Sequence, residues 1–266
     1  MELKRGMFFT LTALALIGLF IVLSTSKPAQ YQQQHMVVAS NRLHSMNSFI
    51  DNIKQDASFA LYTIGFRSVV SSLDYISTTG TYLDDDQDLE ELMINGTLYN
   101  NPQYIMENNT LINWTQKMQI EASKIGIILN ITMQNLSIQQ NDPWHITFVV
   151  DLRCQLSDQR ELASWDFNLS SVSLVPIEGF EDPIWIVEAG DQIPHVINIS
   201  PHVGSFANDT DVQNITEHLE NAYYLSFGKG PNYLSRLEGD LTADDPTGIE
   251  SFVDKEVLQA ITPIDP

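Results

Sequence analysis

The spacing of hydrophobic residues changes twice along the chain, and each change predicts a different kind of element. Residues 7–26 carry no charge, and the 17 residues from Met7 to Leu23 are almost entirely apolar. A helix of this length spans roughly 26 Å, close to the thickness of a membrane's hydrocarbon layer. We therefore expect residues 1–26 to be a signal-anchor with a transmembrane helix, in preference to a cleaved signal or a buried core helix.

The charges beside this segment predict its orientation. Lys4 and Arg5 precede it and Lys27 follows it. Because positive residues favour the cytoplasmic side, we expect a single-pass protein of the cell membrane. Residues 7–26 would contact lipid, the N-terminus would be cytoplasmic, and the C-terminal head would be extracellular.

Residues 27–80 predict a long amphipathic stalk helix. Apolar residues alternate at intervals of three and four, which is the heptad pattern of a helix that buries one stripe. Such a helix packs on the head, on a copy of itself or on a partner helix, and we favour the head for its second half. The stripe consists of Met36, Ala39, Leu43, Met46, Ile50, Ile53, Ala57, Ala60 and Ile64.

Residues 81–110 are interpreted as an acidic loop. Three aspartates have the spacing that opens a calcium-binding loop, but the glycine and the glutamate that such a loop requires are replaced. We therefore expect a solvated loop without a metal. The residues concerned are Asp84, Asp86 and Asp88, followed by Leu89 and Asn95.

The head, residues 111–266, is predicted to begin with a helix over residues 111–124 and to continue as strands. Apolar residues then alternate with polar ones in three runs joined by short turns, which indicates an antiparallel meander with one buried face. Cys154 falls on the buried side, as a small hydrophobic residue. The runs contain Ile127, Leu129, Ile131 and Met133; Trp144, Ile146, Phe148, Val150 and Leu152; and Ala163, Trp165, Phe167, Leu169, Val172 and Leu174.

Weaker patterns follow the meander. They predict strands over residues 184–187 and 194–200, a helix over 211–224 and a short helix near 248–260. The expected fold class is α+β, with an N-terminal transmembrane helix continuing into a long amphipathic helix packed on a C-terminal antiparallel β-rich head.

Charge and cysteine content exclude several functions. The 266 residues contain 13 Lys and Arg against 34 Asp and Glu, for a net charge of −21. Nucleic-acid binding depends on neutralising phosphates with cations, so we expect no nucleic-acid partner. A single cysteine excludes an intrachain disulfide and a cysteine-based metal cluster.

No motif for catalysis, metal binding or a cofactor stands out in the sequence. His195, His202 and His218 are the only clustered histidines, and their spacing across proline and glycine is not that of metal ligands. We therefore expect no catalytic residues, no metal, no cofactor and no enzymatic activity. A membrane-tethered hydrolase would require these histidines, or a set of carboxylates, to converge in a cleft.

Candidate N-glycosylation sites are more frequent than chance predicts. A random arrangement of the chain's 18 Asn and 39 Ser and Thr gives about 2.6 Asn-x-Ser/Thr sequons, whereas nine are present. All of them lie beyond residue 94, which indicates a glycosylated, externally exposed head on an unglycosylated stem. The nine are Asn95, Asn108, Asn113, Asn130, Asn135, Asn168, Asn198, Asn208 and Asn214.

The N-terminal arrangement resembles that of archaeal type IV pilin-like proteins with a class III signal peptide. The resemblance is carried by Lys4, Arg5 and Gly6 before an uninterrupted apolar segment, an amphipathic helix and a β-rich head. It implies cleavage after Gly6 by a prepilin peptidase, and an apolar helix that forms a filament core or stays in the membrane. The head is also similar to uncharacterised archaeal membrane-anchored surface proteins around residues 142–144 and 179–183.

These observations predict a single-pass, membrane-anchored, N-glycosylated cell-surface protein with a structural or pilin-like role. The alternative is a membrane-tethered binding module for a surface glycan or a partner protein, which would require an exposed aromatic cluster or a pocket on the head. We expect the tryptophans of the meander, Trp144 and Trp165, to lie in the core instead.

Overall fold

The computed structural model describes residues 3–188, 195–201 and 221–251 and has the predicted α+β class, with one long helix and antiparallel sheets. The predicted helices over 211–224 and 248–260 lie largely outside these residues, and their described parts at 223–224 and 249–251 are strands and not helices. The helices are α1 (Leu3–Thr79), α2 (Gln87–Asn95), α3 (Leu111–Lys124), α4 (Pro183–Glu188) and α5 (Tyr233–Leu237). The strands are β1 (Thr97–Leu98), β2 (Asn101–Pro102), β3 (Ile127–Asp142), β4 (His145–Asp158), β5 (Ser164–Pro176), β6 (Asn198–Ile199), β7 (Tyr223–Ser226) and β8 (Ile249–Ser251).

Helix α1 runs without interruption for 77 residues, or roughly 115 Å. It ends at Gly80, which has a φ of 68° and donates its backbone N–H to the carbonyl of Ile76 at 2.8 Å. Only glycine adopts this left-handed conformation without strain, so Gly80 stops the helix. Across the described residues, no helix combines the length and the apolarity that crossing a membrane requires.

The heptad stripe of α1 divides into an exposed half and a buried half. Met36 and Leu43 are exposed, whereas burial starts at Met46 and continues along one side of the helix. This confirms that the second half of the helix packs on the head. The buried side consists of Met46, Ile50, Ile53, Ala57, Leu61, Ile64, Ser68, Ser72 and Ile76.

Strands β3, β4 and β5 form the predicted antiparallel meander. The inner face of the meander packs against α1 and α3. The inward-facing residues of the central strand β4 are all buried: Ile146, Phe148, Val150, Leu152, Cys154 and Leu156. The buried thiol of Cys154 confirms its predicted place, and burial raises its pKa to about 11. Trp144 and Trp165 are half-buried and pack against this core.

A β-bulge reverses the alternation of β3. Met133 pairs with Leu152 but Asn135 pairs with Asp151, so Gln134 is an extra residue. One extra residue moves every later side chain to the opposite face. Leu136, which lies after the bulge, is therefore buried opposite Val150, whereas Met133, predicted to be buried, lies directly before the bulge and is 36% exposed.

Strand β5 also departs from the sequence prediction. Val172 and Leu174, which were grouped with the apolar residues of this strand, point away from the core and are exposed. The inward positions next to them are occupied by Ser171 and Ser173, which face helix α1. Ser171 shares a hydrogen bond of 3.0 Å with Ser58, so two small hydroxyl residues replace larger apolar side chains where the strand meets the helix.

Two predictions of local structure were wrong. Residues 184–187 form helix α4 and not a strand, because Pro183 suits the first helical turn and the carboxylate of Asp182 accepts the N–H of Ile184 at 3.0 Å. The acidic segment 81–110 is not simply a loop. It contains α2, whose C-terminus is capped by Gly96, and the hairpin β1–β2.

An arginine on the exposed half of α1 ties the helix to the end of the meander. The Arg42 guanidinium donates to the carboxylate of Asp158 at 2.6 Å and to the carbonyls of Ile125 and Gly126. The positive charge lowers the pKa of the Asp158 carboxyl. A carboxylate stabilised in this way favours the folded state above its ordinary pKa, and that contribution is lost as the pH falls through the lowered value.

The closest approach of helix and sheet depends on Gly65. A Cβ at this position would lie 2.7 and 2.8 Å from two ring carbons of the fully buried Phe148. We expect Gly65→Ala to lower the free energy of unfolding by up to about 2 kcal/mol, because overpacking outweighs the gain in helix propensity. Urea denaturation followed by near-UV circular dichroism measures this change.

Gly18→Ala is the matched control in the same helix. A Cβ at Gly18 meets nothing within 4 Å, so this variant has only the gain in helix propensity and should be no less stable than the parent. Equal stabilities for the two variants would contradict the close packing of Gly65 on Phe148.

Candidate functional site

The first surface that the structure leaves unpartnered is the N-terminal part of α1. Eleven large hydrophobic side chains between Met7 and Val22 are each 55–76% exposed. We call residues 7–22 the apolar arm. Lys4, Arg5 and Gly6 of the predicted cleavage motif lie in the first turns of the same helix.

A second surface is a shallow groove between α1 and α3, which we call the helix furrow. Three hollows follow one another along α1, the middle one with a volume of about 250 Å³, and neighbouring hollows share lining residues. Phe59, which is 75% exposed, lines two of them, and Tyr62 and Phe66 line the third. The furrow is thus an apolar, aromatic groove open to solvent.

Hydrogen bonds fix the walls of the furrow. The indole N–H of Trp114 on α3 donates to the carboxylate of Asp56 on α1 at 2.7 Å. The Lys117 ammonium donates to the carbonyl of Asn108, and the Arg67 guanidinium donates to the carbonyl of Ile105. These contacts join α3 and the segment before it to α1 beside the aromatic side chains.

The sequence prediction did not include these aromatic residues. Phe59, Tyr62 and Phe66 fall outside the heptad stripe, at intervals of three and four residues along another side of the helix. Residues with this spacing share one face of an α-helix. A search for a second apolar stripe in the same helix would have found them.

The third surface is the outer face of the meander, which we call the sheet face. Asn130, Asn135 and Asn168 are exposed on it, since they pair with the outward-facing residues Gln155, Asp151 and Arg153 of β4. Three of the predicted glycosylation sites, from two different strands, are therefore brought onto one face.

The same face carries an exposed ion pair. The Arg153 guanidinium donates to both carboxylate oxygens of Asp166, at 3.0 and 2.7 Å, and Gln155 donates to one of them. These donors lower the pKa of the Asp166 carboxyl to about 2. The charged pair makes the middle of the sheet face polar.

The other described sequons lie outside the meander: Asn95 and Asn113 in helices, Asn108 in a turn and Asn198 in β6. Asn95 and Asn108 are exposed and Asn113 is half-exposed. The side-chain nitrogen of Asn198 donates to the carbonyls of Asn221, at 2.7 Å, and Val196, at 3.4 Å. Asn208 and Asn214 lie outside the described residues.

A buried polar cluster joins the distal elements of the head. The Arg236 guanidinium, on α5, donates to the carboxylate of Asp182 at 2.6 Å and to the carbonyl of Ile249. The Tyr224 hydroxyl donates to the same carboxylate oxygen at 2.7 Å, and Glu250 lies 4.0 Å from the guanidinium. Arg236, Asp182 and Tyr224 are each at most 1% exposed, so the cluster is a structural junction closed to solvent.

His195 borders this cluster. Its ring stacks on Trp185 at 4.4 Å and meets the edge of Tyr224 at 5.5 Å. Burial and the nearby Arg236 charge lower the pKa of the imidazole, although Asp182 opposes them. His202 and His218, the other histidines of the predicted cluster, lie outside the described residues.

The acidic segment uses its carboxylates in structural contacts. Asp88 is buried, and its carboxylate accepts the Tyr99 hydroxyl at 2.7 Å and the N–H of Asp84 at 2.8 Å. Burial and the neighbouring Asp86 and Asp85 raise the pKa of Glu90. Within residues 3–188, 195–201 and 221–251, no group of three or more histidine, cysteine or carboxylate side chains is placed to hold a metal ion.

Comparison of the chain with family models, curated proteins and solved structures found no match.

The buried cluster makes a prediction about stability. Arg236→Met should lower the free energy of unfolding by about 3–5 kcal/mol, because it leaves the Asp182 carboxylate buried without its counter-ion. The double variant Asp182→Asn, Arg236→Met should lose less than the sum of the two single variants. Urea denaturation of all four proteins measures this coupling.

Arg153→Met is the control for this experiment. It removes an arginine from the exposed pair with Asp166 on the sheet face, and exposed pairs contribute little to stability. The role of the cluster as a buried junction would be contradicted if the losses of unfolding free energy at Asp182 and Arg236 were additive. It would also be contradicted if Arg153→Met lowered the free energy of unfolding as much as Arg236→Met does.

Proposed function

We propose that the chain is a single-pass, membrane-anchored, N-glycosylated cell-surface protein with a structural or pilin-like role and no enzymatic activity. The observation that carries the proposal is the apolar arm, a regular helical segment with eleven exposed large hydrophobic side chains. Burying one such side chain contributes about 1.5–3 kcal/mol. Exposure of all eleven to water is therefore unfavourable by tens of kcal/mol, and the arm requires an apolar environment.

The proposed environment is a lipid bilayer, or copies of the same arm. The arm makes up most of the uncharged segment 7–26. Lys4 and Arg5 precede this segment and Lys27 follows it, and this distribution of charge favours a cytoplasmic N-terminus. We further propose that a prepilin peptidase cleaves the chain after Gly6, as in archaeal type IV pilin-like proteins with a class III signal peptide.

The surface of the head supports an extracellular location. Of the seven sequons that fall within the described residues, five have an exposed asparagine: Asn95, Asn108, Asn130, Asn135 and Asn168. Sugar transfer to asparagine requires such access and takes place on the outer side of a membrane. The excess of sequons and their exposure therefore agree with each other.

A second candidate function is a membrane-tethered binding module for a surface glycan or a partner protein. The helix furrow favours it, because Phe59 is 75% exposed, and Tyr62 and Phe66 are each 40% exposed, beside its apolar hollows. Aromatic side chains in a rigid groove are typical anchors of binding surfaces. This role is compatible with the membrane anchor and concerns only the head.

The anchor is tested by a charge in the middle of the arm. Leu16→Asp should cost about 2.5–3.5 kcal/mol of insertion and should lower the share of the protein found in the membrane fraction of its native cells. Leu162→Asp is the matched control, since it places the same charge at an exposed leucine of the head. Full membrane retention of the Leu16 variant would contradict the anchor.

N-terminal sequencing of the membrane-bound protein separates the two forms of the proposal. A start at Met7 would support prepilin-type processing and assembly through the arm. A start at Met1 would support an uncleaved anchor.

The binding module is tested at Phe59. If the furrow binds a component of the cell envelope, Phe59→Ala should weaken binding of the detergent-purified protein to washed envelope fragments about tenfold or more, as the loss of an aromatic anchor does. Val172→Ala, which truncates an exposed residue of the sheet face, should leave binding unchanged. Equal binding by both variants would rule out the furrow as the binding site.

A further inference from the structure

The sheet face has a feature that the helices and turns of the head do not share. In a β-strand, residues two apart point to the same side. A sequon in a strand therefore presents both its asparagine and its hydroxyl residue on one face. This holds for Asn130 with Thr132 and for Asn168 with Ser170, all four of which are exposed.

The third sequon of this face owes its orientation to the β-bulge. Without the extra residue Gln134, the alternation of β3 would turn Asn135 toward the core. With it, Asn135 pairs with Asp151 and Ser137 pairs with Val149, both on the outward side of β4. The bulge thus brings a third asparagine and its hydroxyl onto the same face.

The other described sequons engage their polar groups inside the fold. The Thr97 hydroxyl donates to the Glu91 carboxylate, and the buried Thr110 hydroxyl donates to the side-chain oxygen of Asn113. The amide nitrogen of Asn198 uses both of its hydrogens in bonds to backbone carbonyls. Attachment of a sugar removes one of the hydrogens of this amide and so disturbs its contacts with the carbonyls of Val196 and Asn221.

The sheet face also has large apolar residues that are exposed to solvent. Ile128, Val172 and Leu174 are 57%, 54% and 53% exposed, and Val172 pairs with Val149 across the strands. Strands β3 and β5 are the two edges of the meander. An open sheet face with exposed apolar residues on its outer strands is prone to pairing with another copy.

We infer that the sheet face is a single glycan-bearing face, in which Asn130, Asn135 and Asn168 carry N-linked sugar and Asn198 does not, and that this sugar keeps the meander from associating with other sheets. The inference rests on the proposed extracellular location of the head. It adds which asparagines are modified and what the modification does.

The chemistry requires an oligosaccharide donor linked through phosphate to a membrane lipid. The side-chain nitrogen of the asparagine forms a bond to the anomeric carbon of the sugar, and the bond from that carbon to the phosphate oxygen breaks. The amide gives up one proton, and the lipid phosphate departs with the electron pair. No electrons are exchanged with an oxidant or a reductant.

Glycopeptide mapping of the full chain, purified from its native membrane fraction, tests the site assignment. We expect sugar on Asn130, Asn135 and Asn168 and an unmodified Asn198. Unmodified asparagines on the sheet face, with sugar on other sequons, would overturn the inference and leave the proposed location intact. A protein without sugar that is found in the cytosol would overturn both.

A matched pair of variants tests the role of the sugar. Thr132→Ser keeps the sequon of Asn130, whereas Thr132→Ala removes it with a similarly small change in side chain. Only the alanine variant should lose the mass of one glycan. Combined with Ser137→Ala and Ser170→Ala, it should shift the detergent-solubilised protein toward larger species in light scattering.

The corresponding serine and threonine exchanges, Thr132→Ser, Ser137→Thr and Ser170→Thr, should leave the size distribution unchanged. An unchanged distribution in the triple alanine variant, despite the loss of three glycans, would overturn the protective role. Because all six substitutions are at outward-facing positions, circular dichroism should give the parent spectrum and confirm that the fold is kept.

Discussion

The contact between the second half of α1 and the inner face of the meander is the interaction on which the rest of this structure depends. Apart from each other, the helix would expose its stripe from Met46 onward to water and the sheet would expose the inner face of β4, which is unfavourable. Gly65 allows the helix backbone to lie against the ring of Phe148, and Ser58 and Ser171 bring the helix close to β5. Since α1 also contains the apolar arm, the core of the head and the proposed anchor belong to one continuous helix.

The distal part of the head is held by a different kind of interaction. Strands β6, β7 and β8 are short and would not be stable as an isolated sheet. The buried carboxylate of Asp182 binds Arg236 from α5, Tyr224 from β7 and the first turn of α4. In this part of the head, one buried charge pair and its hydrogen bonds fix the positions of the elements. In the meander, apolar packing has this role.

The two main surfaces of the head have different chemistry, which suggests a division of roles. The sheet face has sequons, a charged pair and exposed edges, whereas the helix furrow has aromatic residues above apolar hollows. In the proposed surface protein, sugar would cover the first of these and leave most of the second accessible. Asn108, which lines the middle hollow of the furrow, is the sequon at which the two roles would compete.

The sequence by itself determined the elements that depend on a regular period. The heptad spacing along α1 and the alternation along β4 follow from how side chains repeat around a helix and across a strand, and both are present in the structure. The uncharged segment and the excess of sequons are likewise properties of the chain alone. Only the tertiary structure decided which positions of those elements are buried, where the bulge at Gln134 reverses β3, and that Asp182 caps a helix where a strand was predicted. It also brought together the sheet face and the Asp182–Arg236 pair, whose residues are far apart in sequence. Local patterns carry no information about such long-range contacts, because the packing of distant segments establishes them.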